Sequence, residues 1–322
     1  MKRIYTLAVC LGAALLAGLV PAAARAGGYP DRPLKIVVAY PPGQSTDIAT
    51  RYFANKLSIA LGQPVVVENR AGAFGNIGTT YVARAEPDGY TLIMGASGTH
   101  ALNPALYDNL GYDPEKDFDP IAATALIPMV ISVNPQLGVN SLAELIKQAR
   151  ARPDKIDVAL PSVTAQLVFE MLKLRDVPLY PIKYKGSGEA MAALIGNQVP
   201  VSIDTVAASR AQFGKIRPLA VTSQRAMSAL PDLRPVAEQG IEGFDVVAWN
   251  ALMAPHGTPV AVRERLAREM HKILALPETA KTLHDLGFEP APEMNHDQLL
   301  AWLHKERQSN AEVVRTAGMK PE

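Results

Sequence analysis

The feature that most constrains this chain is a strand, a tight proline-glycine loop and a helix, met in that order and then met again. Leu34-Lys35-Ile36-Val37-Val38-Ala39-Tyr40 is a short β-branched run that stops at Pro41-Pro42-Gly43, and helical spacing then runs from Asp47 to Leu61. Pro64 to Asn69 repeats the strand, Gly72 to Gly78 opens a second helix that reaches Ala85, and Tyr90 to Met94 makes a third strand ending at Gly95. Strands separated by helices of this length cannot be hairpin neighbours, so the pattern predicts a mostly parallel sheet covered by helices. In such sheets ligands bind beyond the carboxyl ends of the strands, where loops enter helices.

A second α/β unit follows. Met129–Val133, Lys155–Ala159, Val199–Ile203 and Leu219–Thr222 read as strands, and Gln166–Leu174 and Glu189–Ile195 as helices. Ser141, with Glu144 three residues on, predicts a capping box at a further helix start. After a strand at Val246–Asn250 the chain reads helical over Pro259–Leu276, Glu278–Leu286 and His296–Thr316, with Thr258 as N-cap and Pro259 in the first turn. No Gly/Ser linker and no internal repeat separates the units. The expected fold is therefore α/β and two-lobed, each lobe a mostly parallel sheet flanked by helices, with a ligand cleft between them. Residues 27–127 and 250–322 would form lobe 1, and 128–249 lobe 2.

Composition narrows the function classes. A chain of 322 residues, 48% of them apolar, has material for two cores. Lys+Arg 32 against Asp+Glu 31, with 6% aromatics, leaves neither the basic stripe nor the stacking surface of a nucleic-acid binder. Lys2 and Arg3, the apolar run Ile4 to Val20, Pro21 and the small residues Ala22 to Ala26 read as a secretory signal spanning residues 1–26 and cleaved after Ala26. A membrane anchor is the alternative, although the apolar run is at the short limit for a span. Lipid attachment at Cys10 is disfavoured by the bulky Val9 before it. Cleavage would remove Lys2, Arg3 and Arg25 and the single cysteine, leaving a slightly acidic, thiol-free chain suited to the oxidising periplasm.

Four segments carry candidate chemistry. Gly43, Gln44, Ser45, Thr46 and Asp47 join a buried strand to a helix start, an anion seat if their amides and hydroxyls face outward and an ordinary loop if Asp47 caps its own helix. Phe74, Gly75 and Asn76 lie in a glycine loop whose spacing fits neither a dinucleotide fingerprint nor a P-loop. It reads as a second amide-rich loop facing the first, or as a turn serving helix-sheet packing. Ser97 lies in Gly95-Ala96-Ser97-Gly98-Thr99-His100, where Thr99 replaces the last glycine of a nucleophile elbow. Asp204, at the end of an apolar run, would receive an ammonium or hydroxyl in a cleft, or cap a helix. Trp249 and Tyr184 belong either to the cleft wall or to the core. The six histidines are scattered, with no metal-binding spacing, and neither a metal nor a cofactor is expected.

The chain resembles the tripartite tricarboxylate transporter receptors, also called Bug extracytoplasmic solute-binding proteins. The resemblance is carried by Tyr29-Pro30-Asp31-Arg32-Pro33, by Leu61-Gly62-Gln63-Pro64 through Asn69-Arg70 with its glycine loop, and by Glu86-Pro87-Asp88-Gly89-Tyr90. Asp113-Pro114-Glu115-Lys116-Asp117-Phe118, Tyr184-Lys185-Gly186-Ser187, Ala220-Val221-Thr222-Ser223 and Ala254-Pro255-His256-Gly257-Thr258-Pro259 extend it to the rest of the chain. It implies a monomeric periplasmic receptor that closes on a small carboxylated solute and delivers it to the membrane components of a tripartite carrier, without catalysis. By position, the loops Pro42–Asp47 and Phe74–Asn76 would hold a ligand carboxylate as a pincer, with Tyr40, Ser97 and Thr99 beside them. Ser162, Thr164, Gln44 and Asp204 would select the distal end.

Two departures stand out. Gly43-Gln44 occupies the place of the family's double glycine, and Leu160–Gln166 is shorter than usual, with Gln166 where a histidine is customary. Two rivals remain at this level: a small-carboxylate enzyme using Ser97 and His100 in the same cleft, and a sensor that presents its closed form to a signalling partner.

Overall fold

The computed structural model of the chain describes residues 28–319. The secretory-signal reading of residues 1–26, with Cys10, lies outside the described residues. Strand β1 (Leu34–Val38) runs parallel between β2 (Val65–Asn69) and β3 (Thr91–Ala96), and helices α1 (Ser45–Leu61) and α2 (Asn76–Ala83) lie in the connections. Side chains alternate across this wing: Ile36, Leu92 and Met94 pack with Phe53 and Leu57 of α1, while Val37 and Ile93 pack on the other face with Val82 of α2. Both faces of β1 and β3 are buried, which is why these two strands read as apolar runs, whereas edge strand β2 leaves Val66 exposed.

After the short helix α3 (Asn103–Leu106) comes β4 (Phe118–Val133), a strand of 16 residues. The second wing holds α4 (Leu142–Ala151), β5 (Asp157–Leu160), α5 (Val163–Lys173), β6 (Tyr180–Lys183), α6 (Ser187–Ile195), β7 (Val201–Thr205), α7 (Val206–Ser209) and β8 (Arg217–Val221). The chain ends with β9 (Val247–Pro255), α8 (Val260–Leu274), α9 (Pro277–Leu286), β10 (Glu289–Pro290) and α10 (His296–Thr316). Strand order is β2-β1-β3-β9-β4-β7-β5-β6, with β8 and β10 also paired to β4. Each wing is parallel, as the sequence predicts, whereas the strands that join the wings run antiparallel: β9 against β3 and β4, and β4 against β7.

The long strand serves both wings. Phe118 to Pro128 pairs with β9, and Met129 to Val133 pairs with β7. Its first part carries Pro120 and Pro128 and an alanine-rich middle, so the usual strand signals are weak there, and register shifts lie beside Pro120 and Ala123. Helix α10 lies across the join. Leu299 and Leu303 pack with Trp249, and Val314 packs in the second wing's cluster with Ile131 and Phe169.

Three helix starts refine the expectations. Ser141 caps α4 through the Glu144 amide at 3.2 Å, but Glu144 reaches back to the Asn140 amide rather than to Ser141, so the box is only half formed. Thr258 does not cap α8; its hydroxyl donates to Pro255 O at 2.7 Å, and Pro259 stands at the helix entrance. The full capping box belongs to α10, where Asn295 and Gln298 exchange bonds.

Candidate functional site

The parallel strands of the two wings, β1–β3 and β5–β7, run in opposite senses, and the loops that leave their carboxyl ends meet around a pocket of about 540 Å³. The first wing contributes Tyr40, Pro41 and Gln44 after β1 and Ala71 to Gly75 after β2; the second contributes Pro161, Ser162 and Val163 after β5 and Lys183 to Lys185 after β6. A smaller inner chamber of about 40 Å³ shares Tyr40, Gln44, Ser162 and Val163 with it and is lined further by Ser45, Thr46, Ser97, Thr164, Ser187 and Asp204. A larger depression beside Arg32 and Lys35 lies by the starts of β1 and β3, where Arg32 pairs with Asp88 and Lys35 with Glu68. The strand-end pocket is the one its fold position marks as a ligand site.

Helix starts define its electrostatics. Gln44, Gly75 and Gly186 are the N-cap residues of α1, α2 and α6, and none of the three places a side-chain acceptor on the first-turn amides. First turns without a side-chain acceptor carry partial positive charge, a setting for an anion, although in α2 the Asn76 amide already donates to Ala73 O. By contrast, Ser162 fills its own first turn by accepting from the Ala165 amide at 3.1 Å.

The first loop is stiffened from behind. Asp47 accepts from the Gly43 amide at 2.9 Å, from Asn69 at 2.9 Å and from Arg51, so both of its oxygens are engaged. Burial opposes its ionisation, but these bonds outweigh burial and hold the carboxyl below its usual range. The hydroxyl of Thr46 accepts from Asn250 at 3.1 Å, which ties α1 to β9.

The second loop is strained and braced. Ala73 and Phe74 both have positive φ, 45° and 50°, a costly conformation for residues with a Cβ and one that clusters at functional sites. Asn103 holds this shape by donating to Phe74 O at 3.1 Å and to Asn76 Oδ1 at 2.7 Å, and Tyr112 adds a bond to Asn76. Gly75, at φ 95°, packs so tightly that a methyl group there would come within 2.6 Å of Thr99 Cγ2.

Each residue singled out in the sequence has a definite place. Tyr40, Gly43, Gln44, Ser45, Thr46, Phe74, Gly75, Ser97, Ser162, Thr164 and Asp204 lie on the two pocket walls or their loops; Asp47, Asn76 and Thr99 lie behind them, engaged with the protein. Burial lifts the Tyr40 phenol to about 12, so it stays protonated. Thr99 Oγ1 lies 2.8 Å from Nδ1 of His100, whose ring is buried against Phe118; burial drives that imidazole down to about 3. Trp249 is both wall and core: it lines the inner chamber, packs at a tilt with its ring centre 5.0 Å from that of Trp302 and donates to Glu306 at 3.0 Å. Asp204 does not cap α7, because Thr205 does so through the Ala208 amide. Sequence reasoning missed Ser187, Pro161, Lys183 and Lys185. Gly186-Ser187-Gly188 after β6 repeats the strand, glycine loop and helix signal of Gly43, and marks the same strand-end position.

This fold and pocket define a two-lobed solute-binding protein of the periplasmic type. The chain belongs to the tripartite tricarboxylate transporter receptor family, whose family model matches residues 49–319. It is 35% identical to Protein BugT of Bordetella pertussis over 307 residues, which cover 94% of each chain. Among solved structures it is similar to R. palustris Rpa4515 with adipate (TM-score 0.88, 34% identity, 91% of this chain and 100% of that one). MatC from Rhodopseudomonas palustris with bound malate gives a TM-score of 0.81 at 31% identity, covering 89% of this chain and 100% of the other.

Proposed function

We propose that this receptor captures a small carboxylated solute between its lobes in the periplasm and hands it to the membrane components of a tripartite carrier. The observation that carries the reading is that two helix starts without a side-chain cap, at Gln44 and Gly75, line the pocket, while a third, at Gly186, stands between Lys185 in its wall and Ser187 in the inner chamber. Adipate and malate, named with two similar proteins, are solutes of the same charge type. In this reading Ser45 and Thr46 present first-turn amides and hydroxyls to the carboxylate, and Phe74 and Tyr40 form the walls; Gly43 and Gly75, whose amides donate to Asp47 and to Gly72 O, shape the two loops. Ser97, Ser162 and Thr164 meet the remainder of the solute, and Asp47, Asn76 and Thr99 keep the loops in shape. Gln44 closes the mouth: a methyl group at Gly186 would lie 2.8 Å from its Nε2, so the two walls already approach each other at this point.

The lobes, 27–127 with 250–322 and 128–249, would pivot where β4 passes from β9 to β7, between Pro128 and Met129, beside the start of β9 at Val247. The mature receptor is taken to begin after Ala26 and to act as a monomer. Binding without turnover is supported by His100, which is paired with Thr99 and held neutral by burial rather than poised as a base for Ser97.

Native mass spectrometry of mature protein from a periplasmic extract, followed by melting shifts with a carboxylate panel, tests the proposal. A co-purified acid that raises the melting temperature when added back, and binds more weakly to Ser45→Ala, is the expected result; at a hundredfold excess over Kd, binding adds about 2.7 kcal/mol to stability. A protein whose melting ignores every carboxylate would overturn it.

A further inference from the structure

The inner chamber contains one carboxyl group whose two oxygens have different surroundings. Oδ1 of Asp204 accepts from the Thr205 amide at 2.7 Å and from the Ser187 hydroxyl at 3.0 Å. Oδ2 is buried and has no partner, and the side chain lines the chamber with Ser45, Thr46, Ser97 and Thr164. Two unfilled helix starts, at Gln44 and Gly186, border the same space. An ammonium group placed here would meet two positive helix ends, whereas an anion would find the polar groups of the lining, the hydroxyls of Ser45, Ser97 and Thr164 among them, favourable with one exception. The exception is Oδ2, and an anion beside it is tolerated when that oxygen carries a proton and donates it.

Resting on the receptor reading above, we propose that Asp204 grips the solute as a neutral carboxylic acid. Its Oδ2–H donates to a second carboxylate, so the solute is a dicarboxylate and binding requires a proton on Asp204. No covalent bond changes. The proton comes from solvent, and the closed complex carries one negative charge fewer than the ionised partners would.

The surroundings favour the acid form. Burial lifts the Asp204 carboxyl from 3.8 to about 7, and its two hydrogen bonds only partly oppose this. No charged side chain besides Asp204 lines the chamber, and Tyr40, the remaining titratable group there, stays protonated. β4 faces Asp204 with Val130 in register, and α6 turns Glu189 to solvent. Beyond α7, Arg210 is engaged with His284 O; Lys183, Tyr184 and Lys185 line the outer pocket.

Calorimetry with malate and adipate, in two buffers of different ionisation enthalpy, tests the proposal. At pH 8 the wild type should take up close to one proton per solute bound, and Kd should rise about tenfold between pH 6 and pH 8, since both solute carboxyls are already ionised across that window. Asp204→Asn, whose amide donates at any pH, should flatten the profile and bind these acids more tightly than the wild type at pH 8. Hexanoate, with one carboxylate, should show no proton uptake. Wild-type binding with no proton uptake would overturn the role of Asp204 and leave the receptor reading standing. So would a preference for alanine that strengthens with pH and is lost in Asp204→Asn, because Asp204 would then be an ammonium receiver. Failure of every carboxylate to bind would overturn both readings, so the two failures are distinguishable.

Discussion

At the scale of single residues, the polar groups divide into those that face the pocket and those that hold others in place. Asp47 is of the second kind: it fastens the Gly43 loop to Asn69 and Arg51. Asp47→Ala should therefore weaken solute binding roughly tenfold, through a loosened loop, and lower stability by about 1–3 kcal/mol, both readable from a titration followed by melting. The two buried acids act on stability in opposite senses. The lowered carboxyl of Asp47 contributes above its ordinary value of 3.8, and that contribution is lost as the pH falls through the folded-state value. Asp204, raised to about 7, binds a proton in the folded state that the unfolded chain has released, so stability falls as pH rises from about 4 to 7 and levels off beyond. Melting of the empty protein should thus be lower at pH 8 than at pH 5, and Asp204→Asn should shrink the difference. An unchanged difference would place the pH dependence elsewhere. The residue types of the site were legible from the sequence because Gly, Ser and Thr at helix starts have few other reasons to cluster. Which of them face the pocket was not, because what turns Asp47 and Asn76 away from it includes partners that lie 22 and 27 positions along the chain.

Elements were read well wherever period and punctuation agree. The sequence places α10 at His296 to Thr316, and the helix has those bounds. The strand at Met129–Val133 was legible from its β-branched residues, yet it is only the end of β4; the preceding stretch from Phe118 pairs as a strand in spite of its prolines and alanines, because β9 supplies the partner. Tertiary pairing overrode local propensity there. Short strand β6 was missed for a similar reason: Tyr180-Pro181-Ile182-Lys183 is too exposed to alternate clearly. Caps offer a clean test at this scale. Asn295→Ala removes a reciprocal cap from α10 and should cost about 1 kcal/mol, lowering the melting temperature while leaving solute affinity close to that of the wild type. A large loss of affinity would show that the start of α10 is coupled to the pocket.

The whole molecule is two parallel wings held by two antiparallel strands and one helix laid over the join. Such a construction lets the wings rotate while each core stays packed, the usual route by which a ligand closes a cleft. Small-angle scattering should show a smaller radius of gyration with a bound carboxylate than without, and Ser45→Ala should need more solute for the same contraction. Equal radii at saturation would argue for a receptor already closed when empty. The tryptophans add a practical consequence. Both indoles in the sequence sit at the join, one in the wall of the inner chamber and one on α10, with ring centres 5.0 Å apart. Any rearrangement that accompanies filling or emptying falls on the chain's two strongest ultraviolet emitters, so the protein is built as its own optical gauge and needs no attached dye to report what it holds.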